Sequence, residues 1–306
     1  MKRRIIKQKT AYTLTLPISW IRDHNLEGKD EVEVEEEHDV LVIKTQKKSK
    51  TETIAIQLEQ GTAEYYRIMV ENLYLKGYDV LDITYKDEKA FQIIQQIVSN
   101  LIGFEVVNQA ENSCVIAETA QSSPEQFTTL LNRCFNIITF TQDTIKQDLS
   151  TTTFPHFAKI DGLTKDARRF LLFCTRAIHK ISITTRREES FLHLLLERLI
   201  LIQHSHFHIY KKIHALKNLK IREKIKDLYS KTCEMFNIFK NMFYKKDLRY
   251  FVTINNYWDE IYFHEGHNLF EGCTKEESII IYHSLYLSKL IFLISQPNIT
   301  QLKTKF

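Results

Sequence analysis

The sequence predicts a multi-domain chain: a small β-rich N-terminal segment, an α+β middle region and an all-α remainder. Three observations carry this. Before residue 46, β-branched and aromatic residues recur with partial alternation. From about 50 to 120, strand-like and helix-like apolar periods take turns. Beyond Pro124 the period stays helical over long stretches, and the whole chain has only seven glycines and four prolines to interrupt it.

The length of 306 residues accommodates two or three domains. The 43% hydrophobic and 26% charged content is ordinary for a globular protein. The net charge of +4 is mild, so the placement of charge, more than its sum, bears on an anionic partner. Five cysteines lie far apart with no CxxC pair, which fits reduced, mostly buried thiols in a cytoplasmic protein. No apolar signal core follows the basic N-terminus. The apolar run at 278–294 is broken by His283 and Lys289, so it reads as a bundle helix and no membrane insertion is expected.

In residues 1–46, "RRIIKQK" and "AYTLTLP" read as two strands. Pro17 stops the second and suits the first turn of a helix. "ISWIRDHNL" then places Ile18, Ile21 and Leu26 on one side. "DEVEVEEEHDVLVIKTQ" gives an acidic strand, a turn near His38 and Asp39, and an apolar strand. So short a module has little core of its own, and an intertwined homodimer is the natural remedy.

Residues 45–52 read as a basic linker. Residues 50–120 then give the strand "TIAIQL", a helix closed by Gly77, the strand "YDVLDITY", a helix ended by Gly103, and the strands "FEVVNQA" and "SCVIAET". Residues 124–298 read as six helices near 124–149, 157–182, 188–216, 219–245, 247–268 and 274–295. Their lengths suggest two stacked three-helix bundles.

Leu16-Pro17, Trp20-Ile21, "LEGKD" at 26–30 and Val32–Val34 follow one another within about 43 residues. This order resembles the AbrB/SpoVT/MazE swapped-hairpin module: a basic strand, a Thr-rich strand ending in Leu-Pro, a short helix and a final apolar strand. "QKTAYT" departs from it where the family usually has a glycine. "YLKGYDVLDI" and "IGFEVV" look like the middle region of PhoU-type phosphate uptake regulators fused to such a module, and "RRFLLFCTRAI" fits the second helix of a PhoU bundle. The fold class implied is an AbrB-like N-terminal domain, an α+β middle domain and a PhoU-like helical bundle.

Lys2, Arg3, Arg4, Lys7 and Lys9 crowd the first strand and its turn, and Arg22 on the short helix joins them. Cations in such a row release counterions from DNA phosphates, and arginine can read guanine by two hydrogen bonds. From composition alone the same residues read equally as a solvated terminus. The resemblance tips the balance toward contact with double-stranded DNA through a homodimer. It implies a transcriptional regulator of phosphate uptake with a PhoU-like sensory half. The alternative is an adaptor without DNA binding, acting on a phosphate transporter or signalling partner by protein contact.

PhoU-type bundles often hold metal ions on acidic ExxxD pairs. Aligned as the family reads, those positions fall here at Thr164 and Arg168, with the third at or near His204. Two spacings offer replacement ligands for a divalent metal ion: His204 with His208, and Glu260 with His264, each i, i+4. The plainer reading, surface or interfacial histidines, is preferred, because two ligands rarely make a tight site. No GxSxG, P-loop or GxGxxG is present, so an enzyme is not expected.

Overall fold

The computed structural model describes residues 2–37, 40–45, 51–181, 183, 186–214 and 220–301. The turn expected near His38 and Asp39 and most of the 45–52 linker lie outside these residues.

The N-terminal segment comprises β1 (Ile6–Gln8), β2 (Ala11–Thr13), α1 (Ile18–Asp23), β3 (Glu33–Glu37) and β4 (Val40–Lys44). Its two antiparallel hairpins, β1–β2 and β3–β4, are separate two-stranded sheets. Pro17 sits one position earlier than the sequence suggests. It is the residue before the first helical turn, with φ −61° and ψ 129°, and its carbonyl accepts the Ile21 N–H. Its ring therefore fixes the entry to the helix rather than occupying it. Leu26 is the one buried apolar side chain of this segment among the described residues. Ile18, expected to pack, is 62% exposed.

The middle region runs β5 (Thr53–Gln57), α2 (Ala63–Leu75), β6 (Val80–Thr84), α3 (Glu88–Val98), β7 (Phe104–Ala110) and β8 (Ser113–Glu118). The sheet order is β5-β6-β8-β7, with β5 parallel to β6 and the remaining pairs antiparallel. Thr62 and Asp87 cap the two helices by accepting the N–H of Tyr65 and Ala90. Gly103 has φ +83°, and a Cβ there would stand 2.7 Å from the Ala120 carbonyl, so only glycine fits. The core holds Val70, Tyr74, Leu81, Ile83, Ile94 and Ile116, with Leu172 of the helical half packed among them.

The helical half contains α4 (Pro124–Thr151), α5 (Phe157–Lys180), α6 (Arg186–Ile213), α7 (Glu223–Lys245), α8 (Arg249–Asp259) and α9 (Lys275–Gln301). Helix α4 starts on a capping box from Ser123 and Gln126, with Pro124 in its first turn. Helices α4, α5 and α6 contact one another, as do α7, α8 and α9. The two sets meet along α6–α9 and α4–α7, and one continuous core joins them.

The helix expected at 247–268 is not uniform. It widens into a π-helical turn at Glu260–Glu265 and ends in a 3-10 turn at Asn268–Phe270. Gly266 explains where the widening ends: its N–H bonds the Ile261 carbonyl at 2.9 Å, and a Cβ would collide with Leu285. The segment Lys275–Gln296 of α9 is long and apolar enough to cross a membrane by length and composition alone. Within this fold Ile280, Ile281, Leu287, Leu290 and Ile294 carry it into the bundle core.

Candidate nucleic-acid interface

The first hairpin pairs Ile6 with Thr13, Lys7 with Tyr12 and Gln8 with Ala11. That leaves Lys9 and Thr10 to make the turn. Lys9 takes φ 47°, the left-handed conformation that a glycine adopts freely. The chain therefore turns where a glycine is missing by straining a lysine. Lys9→Gly is expected to stabilise this hairpin by up to about 1 kcal/mol, read as slower amide exchange at Ile6, Gln8, Ala11 and Thr13, whose N–H groups face the partner strand. Unchanged exchange would show that the turn carries no such strain.

Lys2, Arg3, Arg4, Lys7, Lys9 and Arg22 are all exposed. None forms an ion pair with a described residue. The acidic residues Glu33, Glu35, Glu36 and Glu37 lie on the second hairpin, where Lys44 reaches Glu35 at 2.7 Å. Lys2, Arg3 and Arg4, expected within the first strand, lie just before it, because β1 begins only at Ile6. With Lys7 and Lys9 on the first hairpin and Arg22 on α1, positive charge gathers at this end and negative charge on the second hairpin.

The same segment leaves much apolar surface in water. Ile5 and Tyr12 are each 69% exposed, and Ile6, Leu14, Val34 and Leu41 are also exposed. In contrast, the turn after α1 is well made. Leu26 N–H bonds Ile21 O, Glu27 N–H bonds the Asp30 carboxylate, and His24 Nδ1 lies 2.8 Å from Trp20 O. A segment with ordered turns and an unburied apolar set is complete locally and incomplete as a fold.

In the helical half the structure does not gather the candidate metal ligands. The rings of His204 and His208 stand 6.4 Å apart and nearly perpendicular. Burial holds His204 below the usual histidine range, and the guanidinium groups of Arg168 and Arg67 add to the effect. Burial, Lys211 and Lys212 do the same to His208. Glu260 is engaged by Lys231 at 2.6 Å, and His264 pairs with Asp259 at 3.1 Å. Among the described residues no group of three or more His, Cys, Asp or Glu side chains is placed to hold a metal ion.

The eroded positions have other work. Thr164 accepts from Gln203 at 3.0 Å inside the bundle. Arg168 reaches Glu71 of α2 at 2.5 Å, and Arg67 shares that carboxylate at 2.7 Å. Farther along α5, Arg176 is fully buried and donates to the carbonyls of Tyr74 and Tyr78. These contacts fasten the helical half to the middle region.

Sequence reasoning missed three further features. Asp148 accepts from Tyr210 at 2.5 Å and lies 2.9 Å from His156 Nδ1, which ties the α4–α5 turn to α6. His206 is enclosed between Gln142 at 3.2 Å and Tyr229 at 2.9 Å. A cleft of about 750 Å³ lies between α7 and the π-helical turn, where Lys231 bridges Glu260 and Glu265. The second and third left a trace in the sequence: His206 is two residues from His204 and His208, hence on the other face of α6, and the i, i+4 pair Glu260 and His264 lines the cleft. Cys114 and Cys233 are buried, and burial pushes their thiols up to about 11 and about 12.

No curated protein and no solved structure matches the chain. A family model described as "Antidote-toxin recognition MazE, bacterial antitoxin" matches residues 5–51. The match ends there, so the likeness of the rest to PhoU-type regulators stands on the quoted residues alone. The two hairpins, the proline-led helix and the exposed apolar set are together similar to the MazE swapped-hairpin module over residues 5–51.

Proposed function

We propose that the protein is a dimeric DNA-binding regulator. The observation that carries this is the set of exposed cations before and on the β1–β2 hairpin, free of ion pairs with the described residues, within a segment similar to MazE. A second copy would cover the apolar residues left in water and set two basic hairpins side by side. Each phosphate neutralised by Lys or Arg releases counterions, so affinity falls steeply with salt. Arg3 and Arg4 can also pair with base edges in the major groove.

The helical half would be the sensory part. Its resemblance to PhoU-type regulators points to phosphate status as the signal, received through a partner protein rather than by catalysis. Arg168 and Arg176 supply a rigid path, because they fix α5 to the middle region that follows the DNA-binding segment. A change in the bundle would then alter the spacing of the paired hairpins. A second reading, a protein-binding adaptor, draws on the toxin recognition named in the family description.

The test is a duplex-DNA titration over a salt series, with the target drawn from a random-pool selection. The wild-type chain is expected to bind with a marked salt slope. Arg3→Ala/Arg4→Ala is expected to weaken binding at least roughly tenfold and to flatten that slope. Binding untouched by the double substitution would move the contact surface elsewhere. No binding even at low salt would leave the adaptor.

A further inference from the structure

β5 is an outer strand of the four-stranded sheet, and its register shows which of its backbone groups are used. Thr53 is opposite Val80, and Ala55 is opposite Asp82. Val80 donates to Glu52 O at 3.1 Å, and Leu58 donates to Thr84 O at 2.9 Å. In a parallel ladder this phase turns the peptide groups of Ile54 and Ile56 toward β6. Those of Thr53, Ala55 and Gln57 point outward, and no strand among the described residues takes them up.

An open edge of this kind is normally guarded by a charge, a proline or a bulge. The opposite edge, β7, carries Glu105 and a bulge between Val106 and Asn108. β5 reads Thr-Ile-Ala-Ile-Gln and has none of these. Its Ile54 and Ile56 are only half-buried, although they lie on the helix-covered side of the sheet.

We propose that β5 pairs with β5 of a second copy, antiparallel across a two-fold axis at Ala55, so that one sheet runs through both chains. This rests on the N-terminal dimer proposed above and adds a second interface to it. Three features of the strand fit that occupant. Centred on Ala55, the outward groups match themselves: Ala55 exchanges both bonds with Ala55 of the second copy, and Thr53 with Gln57. The intervening, closer pairs then set Ile54 against Ile56, which buries both and joins β-branched residues across the strands. No like charges meet anywhere along the pairing.

The tether supplies the remaining argument. β4 ends at Lys44 and β5 begins at Thr53, a span of at most about 30 Å even when extended. Two chains held by their first 45 residues therefore keep their β5 edges at high effective concentration. An unguarded strand is safe where its own copy is always at hand.

The test uses the full chain with Cys273→Ser, which removes the cysteine that is not fully buried. Ala55→Cys is added to one preparation and Thr53→Cys to another. Opposed Ala55 positions have Cα atoms about 5.5 Å apart, within disulfide reach, whereas Thr53 faces Gln57 of the second copy. The expected result is a disulfide-linked dimer that forms at least tenfold faster with Ala55→Cys than with Thr53→Cys. Hydrogen exchange adds a second readout. The amides of Thr53, Ala55 and Gln57 are expected to be protected, and Ala55→Lys to release them while those of Gln8 and Ala11 in the first hairpin stay protected. Light scattering separates the two readings. A dimer with equal cross-linking of the two variants overturns the β5 pairing and leaves the N-terminal dimer standing. A monomer overturns both.

Discussion

Replacing Arg176 with methionine is expected to cost about 3–5 kcal/mol of stability, the range for removing one partner of a buried ion pair. Arg176 is 1% exposed, and its guanidinium lies between the two halves of the molecule. It donates to Tyr74 O at 2.8 Å and Tyr78 O at 2.9 Å, and stands 3.3 Å from Asp79 and 3.2 Å from Glu118. Its plane also lies over the rings of Tyr74 and Phe104, at 5.1 and 4.7 Å.

The loss would exceed that of a simple cavity. Burial already raises the Glu118 carboxyl above the usual range, with Arg176 opposing and Asp79 reinforcing the rise. Asp79 is held below its usual range against burial, chiefly by Lys180 at 2.7 Å and by the Glu52 N–H. Without the guanidinium, two carboxyls and two carbonyls face each other with Lys180, at Asp79, the one cation paired there among the described residues, and the Glu118 carboxyl loses the group that opposes its rise. Urea unfolding measures the loss. Arg176→Lys should recover only part of it, because an ammonium cannot span carbonyl and carboxylate partners as a fork. A loss below about 1 kcal/mol for the methionine variant would show that packing alone joins the halves.

The second large effect is acid sensitivity. Lowering the pH from 7 to 5 is expected to remove about 3–4 kcal/mol through His206 and His283 alone. Burial pushes His206 down to about 3, and the neighbouring His283 adds to the shift. Burial and His208 bring His283 down to about 4. In the unfolded chain both take up a proton near pH 6.5. The unfolded state therefore binds more protons between about 6.5 and 4, and stability falls with pH through that window. Above it the contribution is complete.

Among the described residues no carboxylate is paired with either ring. His206 bonds the amide of Gln142 and the hydroxyl of Tyr229, His283 stacks on His208, and Arg168, Arg67, Lys211 and Lys212 stand near His204 and His208. Denaturant unfolding at a series of pH values tests it. His206→Gln keeps a hydrogen-bonding group and should remove about half of the decline. A wild-type stability that stays level between pH 5 and 7 would contradict the neutral, buried state of these rings.

Some elements were legible from the start because their causes are local. Ser123, Pro124 and Gln126 announce α4 by capping, and Gly77 and Gly103 mark two helix ends where φ is positive. The alternation in β5 through β8 gave the strands. The basic cluster of the first hairpin is likewise contiguous in sequence. Position 9 shows the limit: the missing glycine was visible, but only the folded hairpin puts Lys9 itself in the left-handed turn. The π-helical turn at Glu260–Glu265 was not legible, because it depends on Gly266 meeting Leu285 of another helix.

The candidate metal ligands fall on the other side of the same line. The i, i+4 spacing put His204 near His208, yet which charges surround them was set by residues far away in the chain. Arg67 comes from the middle region and Arg168 from α5, and both discourage a cation. The sequence by itself thus determined the order of helices and strands, several of their caps and the run of basic residues around the first strand, since capping, periodicity and charge runs act over a few residues. The tertiary structure decided what Arg168, Arg176 and His206 do, and which strand edge and apolar surface stay open. Burial and ion pairing depend on partners brought together across a hundred residues, as Arg176 meets Tyr74.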